Sequence, residues 1–152
     1  MQNPSDDDIR RILTTNRTIA MVGASPNPAR PSHGVMKFLL ARGYRVTPVS
    51  PRVEGKDLLG QAGYGVMADV PEPFDMVDIF RQSEAAGDIS DQALALAEAK
   101  GIKTVWMQLG VINEPAAERA RAAGLEVVMD RCPIIEIRRL GIEPLDHAGG
   151  AP

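Results

Sequence analysis

Residues 18–32 read TIAMVGASPNPARPS, and this stretch indicates the fold. Residues 18–22 are nearly all apolar, which is typical of a parallel strand that is buried on both faces. Gly23 ends the strand, and a loop rich in Pro and Ser follows it. Apolar residues then recur at helical spacing over residues 35–40, with Ser32 as the expected N-cap. A strand, a turn and a helix in this order predict the first βα unit of an α/β fold.

The same alternation of strand and helix continues to about residue 140. Beyond the first unit we expect a capped helix after Ser5, strands over residues 45–49, 75–80, 103–109 and 126–129, a loop over residues 55–65, and helices over residues 89–99, 113–123 and 133–140. Because a right-handed crossover lays each helix across the sheet, this order predicts an α/β fold with a doubly wound parallel sheet and helices on both faces. We therefore expect one Rossmann-like, three-layer domain over residues 1–140 and a flexible tail over residues 141–152.

Composition argues against several classes of function. The chain has 152 residues, 44% of them hydrophobic, but no apolar run of the roughly 20 residues needed to cross a bilayer. A net charge of -3 and only 4% aromatic residues do not favour binding to nucleic acid. The acidic start lacks the pattern of a secretory signal, and Cys132 is the single cysteine. We therefore expect a cytoplasmic protein without a disulfide or a metal site.

The loop from Gly23 to Ser32 is the first candidate site, because ligands of doubly wound sheets bind outside the carboxyl ends of the strands. Gly23 allows a phosphate to approach the backbone, and Arg30 supplies positive charge. The hydroxyl groups of Ser25 and Ser32 can donate hydrogen bonds. A dinucleotide fingerprint is absent, since Ser25 and Pro28 stand where G-x-G-x-x-G requires glycine. We interpret the segment as an unorthodox phosphate-binding loop; the alternative is a solvent loop shaped by its prolines and serines.

Ser50, Pro51 and Arg52 follow the second predicted strand. An enzyme that uses NAD has an acidic residue near this position for the ribose hydroxyls, whereas a phosphorylated ribose requires a cation or hydroxyl donors. Ser50 and Arg52 suit a phosphorylated ribose. Taken alone, Arg52 is better explained as a solvated surface charge. It supports a phosphate site only in combination with the loop from Gly23 to Ser32.

Four stretches in this order resemble a known family: VGASPNPARPSHGV at 22–35, VTPVSPR at 46–52, VDIFRQSE at 77–84 and VWMQLGVINEPAAERARAAGLEVVMDRC at 105–132. They are similar to the small stand-alone proteins that bind coenzyme A (CoA). These proteins are related in fold to the N-terminal CoA-binding domain of succinyl-CoA synthetase alpha subunits. The resemblance runs from about residue 18 to residue 140, nearly the whole chain.

The resemblance implies a role for several positions. It assigns Gly23, Ala24, Ser25 and Arg30 to the diphosphate, Ser50, Pro51 and Arg52 to the adenosine and its 3′-phosphate, Phe80 and Arg81 to the adenine or pantetheine, and Gln108, Leu109 and Gly110 to the channel toward the thiol. The family usually has asparagine where Ser50 stands. Phe80 is equally well explained as a core residue, and Gln108 as a partner for loop backbone groups.

Cys132 follows the last predicted strand and therefore lies at the ligand-binding edge of the sheet. Free cysteines are among the most buried residues, so a small core side chain is the simplest interpretation. The alternative is functional: if the pantetheine arm points toward this edge, an oxidant can join the thiol of CoA and Cys132 in a mixed disulfide, and the protein would hold or sense oxidised CoA.

Three functions are compatible with these residues. The first is a module that binds CoA or an acyl-CoA at the carboxyl edge of the sheet, as a carrier, sensor or regulator without chemistry of its own. The second is an NADP-dependent reductase, although the chain is short for one. The third is a nucleotide-binding subunit of an acyl-CoA synthetase-type assembly, which requires a separate partner chain. Asp75 and Asp78 on the third predicted long strand are interpreted as structural, and no catalytic residue is assigned.

Overall fold

The computed structural model describes residues 3–145. In chain order the elements are α1 (Asp6–Thr15), β1 (Thr18–Val22), α2 (Pro31–Ala41), β2 (Arg45–Val49), β3 (Asp57–Leu58), β4 (Gln61–Ala62), a 3₁₀ turn (Met67–Asp69), β5 (Met76–Ile79), α3 (Ser83–Lys100), β6 (Thr104–Met107), α4 (Glu114–Ala122), β7 (Glu126–Val128) and α5 (Pro133–Arg139). Five strands form one parallel sheet in the order β2-β1-β5-β6-β7. The predicted α/β fold with a doubly wound parallel sheet is confirmed.

Each strand of the sheet sends alternate side chains to opposite faces, which is the geometry of a pleated sheet. On one face Val77 and Ile79 of β5 pack with apolar residues of α3 and α4, such as Ile89. On the other face Met76 of β5 and Trp106 of β6 pack with apolar residues of α1, α2 and α5. Both faces are covered, so most strand residues are buried and apolar. The exceptions are a few buried polar residues, such as Asp78 and Thr104, and polar residues at strand starts, such as the exposed Arg45.

The strand order has one switch point. From β1 the chain crosses through α2 to β2 on one side, and from β5 it crosses through α3 to β6 on the other side. The loops after β1 and β5 therefore leave the sheet in opposite directions from neighbouring strands, which opens a crevice between them. This crevice is at the carboxyl edge, where the sequence places the candidate site.

The structure differs from the sequence-based expectations at several places. Ser32 is not the N-cap of α2, because the helix begins after Arg30 and Ser32 lies inside its first turn. The expected loop at 55–65 contains the antiparallel pair β3 and β4. Helix α3 begins at Ser83, six residues before the expected start.

The expected flexible tail also begins too early. Ile142 and Leu145 are buried in the apolar cluster on the face of α1, α2 and α5, and the backbone N–H of Leu145 donates to the carbonyl of Arg42. Residues 141–145 are therefore part of the domain body, and the remainder of the predicted tail, residues 146–152, lies outside the described residues. No helix within residues 3–145 has the length and apolar composition to span a membrane.

Candidate functional site

A cavity of about 1070 Å³ lies at the carboxyl edge of the sheet, over the switch point. It brings together all of the residues that the sequence analysis selected: Gly23, Ala24, Ser25, Arg30, Ser32, Ser50, Pro51, Arg52, Phe80, Arg81, Gln108, Leu109, Gly110 and Cys132. Five further residues line the cavity: Pro31, Val35, Gln82, Ala85 and Val111. Pro31, Gln82 and Val111 lie in segments that follow predicted strands but were given no individual role, whereas Val35 and Ala85 were not predicted. Ala85 was not predicted because the start of α3 was placed too late.

Gly23 allows the loops after β1 and β5 to approach each other closely. Its φ is +93°, and a Cβ atom at this position would lie 2.2 Å from the carbonyl oxygen of Phe80 and 3.1 Å from Cδ of Arg81. Glycine is therefore required for the close approach of the loop after β5, in addition to any approach of a phosphate. The contact with Phe80 was not predictable from the sequence, because it joins residues far apart in the chain.

Short-range hydrogen bonds shape the loop after β1. The backbone N–H of Ser25 donates to the hydroxyl oxygen of Ser32 at 3.1 Å, and the N–H of Asn27 donates to the hydroxyl oxygen of Ser25 at 3.1 Å. The N–H of Ala29 donates in turn to the side-chain oxygen of Asn27 at 2.9 Å. Since both serine hydroxyls accept these bonds, their own hydrogens remain available for a ligand in the cavity.

Ser50 connects the loops after β1 and β2. Its hydroxyl donates to the carbonyl oxygen of Ala24 at 2.7 Å, and the residue is buried. The oxygen of Ser50 can still accept a hydrogen bond, but its proton is used to position the first loop. Ser50 thus lies in the cavity wall, as expected, with an additional structural role.

The part of the cavity formed by β1, β2 and β5 is positively charged. Arg30, Arg52 and Arg81 are exposed at its mouth, and none of the three forms an ion pair within residues 3–145. No Asp or Glu is among the lining residues. The N-termini of α2 and α3 also border the cavity, and neither has a side-chain cap. Unpaired arginines and uncapped N–H groups together favour an anionic ligand.

The part formed by the loops after β6 and β7 is less polar. Leu109 is exposed there, and Val111 and Cys132 are buried in the wall. The carboxylate of Asp130 accepts from the N–H of Gly110 at 2.7 Å, which ties the two loops together. Asp130 has a φ of +56°, a strained conformation for a residue other than glycine.

The backbone before Cys132 is fixed by a tryptophan. Nε1 of the buried Trp106 donates to the carbonyl oxygen of Arg131 at 2.8 Å. The guanidinium group of Arg131 lies 4.0 Å from the carboxylate of the buried Glu136, which also binds Arg139. Cys132 is 7% exposed and lines the cavity.

Two aspartates of the region around β5 have different surroundings. Asp75 accepts from the backbone N–H groups of Arg17 and Thr18 and lies 3.6 Å from Nζ of Lys103, which agrees with a structural role. Asp78 is completely buried, and neither of its carboxyl oxygens has a hydrogen-bond partner in the part of the chain that the structure describes. Burial raises the pKa of Asp78 well above its usual value. No group of three or more His, Cys, Asp or Glu side chains within residues 3–145 is arranged to hold a metal ion.

Comparison with known proteins identifies the family of the chain. Residues 17–138 match the family of CoA binding domains, and the chain therefore belongs to that family. The predicted resemblance is confirmed. The uncharacterized protein YneT of Bacillus subtilis (strain 168) is 34% identical over 132 residues, which cover 87% of this chain and 93% of YneT.

Solved structures share the fold. Prb, a PH1109 protein redesigned for binding, is 40% identical with a TM-score of 0.85 and covers 97% of this chain and 99% of its own. A hypothetical protein from Pyrococcus horikoshii OT3 is 39% identical with a TM-score of 0.82, over 92% of this chain and 96% of its own. A dinucleotide-forming acetyl-coenzyme A synthetase 1 from Ca. Korarchaeum cryptofilum shares the fold with 24% identity and a TM-score of 0.65, over 77% of this chain and 26% of its own.

Proposed function

We propose that this protein binds CoA or an acyl-CoA in the cavity at the carboxyl edge of the sheet. The observation that carries the proposal is the division of the cavity: one side has three arginines that form no ion pair with any residue in the range 3–145, and the other side is a neutral wall with a thiol. CoA has the matching division, because its nucleotide part carries the diphosphate and the 3′-phosphate, whereas its pantetheine arm is uncharged and ends in a thiol. Membership in the CoA-binding family supports the same ligand.

The order of the strands suggests how the ligand lies. Arg52, Arg30 and Arg81 come from the loops after β2, β1 and β5, which are neighbours in the sheet. Gln108 and Cys132 come from the loops after β6 and β7 on the far side. CoA would thus cross the edge of the sheet, with its phosphates beside the arginines and its thiol near β7.

We propose a carrier, sensor or regulatory role without chemistry of its own. Within residues 3–145 the cavity wall contains no histidine and no carboxylate, the groups that most often serve as a general acid or base. The loop after β1 favours CoA over NADP as the ligand, because it lacks the glycine pattern of a dinucleotide site. A cytoplasmic location remains part of this proposal.

Isothermal titration calorimetry with CoA, acetyl-CoA, NADP and NAD tests the ligand. CoA and acetyl-CoA are expected to bind more tightly than either dinucleotide, and Arg30→Ala is expected to weaken CoA by about 1–3 kcal/mol through the loss of a charge-assisted contact. Arg45→Ala is the matched control. Arg45 is an exposed arginine at the first residue of β2, so it lies at the amino ends of the strands, opposite the cavity at their carboxyl ends. Tighter binding of NADP than of CoA would overturn the assignment.

The proposed orientation has its own test at Cys132. If the thiol of CoA lies near this residue, the sulfur of Cys132 can attack CoA disulfide, which forms a protein–CoA disulfide and releases one molecule of CoA as thiol. Intact mass measurement is expected to show an adduct of one CoA that is lost on reduction and absent in Cys132→Ser. If wild-type protein saturated with ligand stays unmodified, Cys132 is a packing residue only.

A further inference from the structure

Asp78 and Gln108 are two buried polar residues that the fold leaves without partners. Both carboxyl oxygens of Asp78 and Oε1 of Gln108 are inaccessible to solvent and accept no hydrogen bond within residues 3–145. Asp78 is 0% exposed, and Gln108 is 7% exposed. A buried polar group without a hydrogen bond costs free energy of folding, so two such groups beneath one cavity require an explanation.

The sheet places these two side chains on the same face. Asp78 alternates with Val77 and Ile79, which face α3 and α4, so it points with Met76 toward α1, α2 and α5. Gln108 lies two residues after Trp106, which faces the same side and is the register partner of Asp78 on the neighbouring strand.

The two residues are also at adjacent levels of the sheet. The backbone N–H of Gln108 donates to the carbonyl oxygen of Ile79 at 3.3 Å, so the chain keeps its register beyond the end of β6. Asp78 and Gln108 are therefore diagonal neighbours across two strands, a separation that long side chains span. Ser90, which also has an unpartnered oxygen, is on α3 and belongs to the opposite face.

An ionised Asp78 and the amide oxygen of Gln108 are both acceptors and cannot bond to each other. A carboxylic acid at Asp78 has one O–H, and this single hydrogen satisfies an oxygen on each residue at once. Burial raises the pKa of Asp78, so the acid is the form that the surroundings favour.

We propose that Asp78 is a positioning residue: its carboxyl O–H donates to Oε1 of Gln108 and thereby presents the amide nitrogen of Gln108 to the cavity. With Oε1 held from below, Nε2 is directed to the part of the cavity where Leu109 and Cys132 lie. Nε2 can donate only, so it selects a carbonyl oxygen such as those of the pantetheine amides. This consequence for the ligand rests on the proposed binding of CoA; the hydrogen bond itself does not.

The hydrogen bond is tested first without any ligand. The infrared difference spectrum between wild type and Asp78→Asn at neutral pH is expected to show the carbonyl band of a protonated carboxylic acid. That band is expected to shift to higher frequency in Gln108→Ala, because the acid loses its acceptor, and to stay in place in the control Ser90→Ala. The proposal would be overturned if the band is absent, or if its frequency is the same in Gln108→Ala as in wild type.

Calorimetry with CoA then tests the positioning role. Asp78→Leu keeps the branching of the side chain but removes the donor, and we expect about tenfold weaker binding, as for Gln108→Ala. The double variant is expected to lie within about threefold of either single variant, because both changes remove one interaction. Asp78→Asn keeps a donor and is expected to stay within about threefold of wild type. Independent losses that multiply to about a hundredfold would contradict positioning through Gln108.

These outcomes separate the two proposals. If wild type fails to bind CoA while the carboxylic acid band still responds to Gln108→Ala, the proposed ligand is wrong and the hydrogen bond stands. If CoA binds but the band does not respond, Asp78 does not position Gln108. The infrared test compares wild type with Asp78→Asn and Gln108→Ala and does not use Asp78→Leu, so it still decides the proposal should Asp78→Leu fail to fold.

Discussion

The helices that border the cavity begin differently from those that do not. Helix α1 follows Ser5, whose hydroxyl accepts from the N–H of Asp8 at 3.2 Å, and α4 follows Asn113, whose side-chain oxygen accepts from the N–H of Ala116 at 3.1 Å. Helices α2 and α3 follow Arg30 and Gln82, and neither of these residues forms a side-chain cap. Among the helices of eight or more residues within residues 3–145, only α2 and α3 lack a side-chain cap. These two helices are also the ones that start at the cavity.

The difference indicates what completes the cavity. The first N–H groups of any helix have no partner within the helix and need one from outside. In α1 and α4 a side chain supplies it, at a typical gain of about 1 kcal/mol. In α2 and α3 the position is left open beside unpaired arginines, so an anionic ligand can serve as the cap. The protein thus forgoes some stability of its free form where it is proposed to bind phosphate.

The largest expected effect concerns the contact between Gly23 and Phe80, which lie in the loops that lead to α2 and α3. Gly23→Ala is expected to lower the free energy of unfolding by more than about 3 kcal/mol, because the positive φ is strained and the new Cβ would overlap the carbonyl of Phe80. Gly101→Ala is the matched control, since Gly101 has a φ of +78° but nothing within 4 Å of its Cβ position. We expect it to cost about 1 kcal/mol. Chemical denaturation measures both, and equal costs would show that the overlap is relieved by a small shift of the loop.

A smaller effect tests which arginine recognises which phosphate. Arg52→Ala is expected to weaken CoA by about 1–3 kcal/mol and to leave dephospho-CoA nearly unaffected, because Arg52 follows β2 beside the proposed 3′-phosphate. The exposure of Arg52 favours the lower end of this range. Calorimetry with both ligands gives the difference. Equal losses for CoA and dephospho-CoA would place Arg52 away from the 3′-phosphate.

The smallest expected effects act on the caps themselves. Gln82→Asp supplies α3 with a side-chain cap and is expected to raise the stability of the free protein by about 0.5–1 kcal/mol, while its charge weakens CoA binding. Ser5→Ala removes the side-chain cap of α1, and we expect it to lower the free energy of unfolding by about 1 kcal/mol and to leave the affinity for CoA unchanged. Thermal unfolding and calorimetry of both variants check this. A Gln82→Asp protein that binds CoA as tightly as wild type would mean that the start of α3 does not face the phosphates.

Much of the fold was predictable because it rests on local patterns. The apolar run at residues 18–22, the helical spacing after Ser32 and the cap at Asn113 are each contained in a short window of sequence, and all three elements are present. The start of α3 was placed late because residues 83–88 are small or polar and do not show the helical period. The hairpin β3–β4 was missed because each strand has only two residues.

Most of the cavity lining was predictable as a set of residues but not as a set of contacts. The rule that ligands bind at the carboxyl ends of parallel strands selects the segments after each strand, and every residue that was given an individual role in the predicted site lines the cavity. The rule does not state what each side chain does. Ser32 was expected to cap α2, but its hydroxyl accepts from Ser25 in the adjacent loop.

The sequence by itself thus determined the order of strands and helices, the edge of the sheet where the cavity lies, and the family, because these depend on neighbours in the chain and on the order of motifs. Only the tertiary structure decided that Gly23 lies against Phe80, that Ser50 binds Ala24, and that Asp78 has no hydrogen-bond partner within residues 3–145. Each of these facts joins residues from different strands. Their energies come from burial and from contacts across the sheet, which no window of sequence contains.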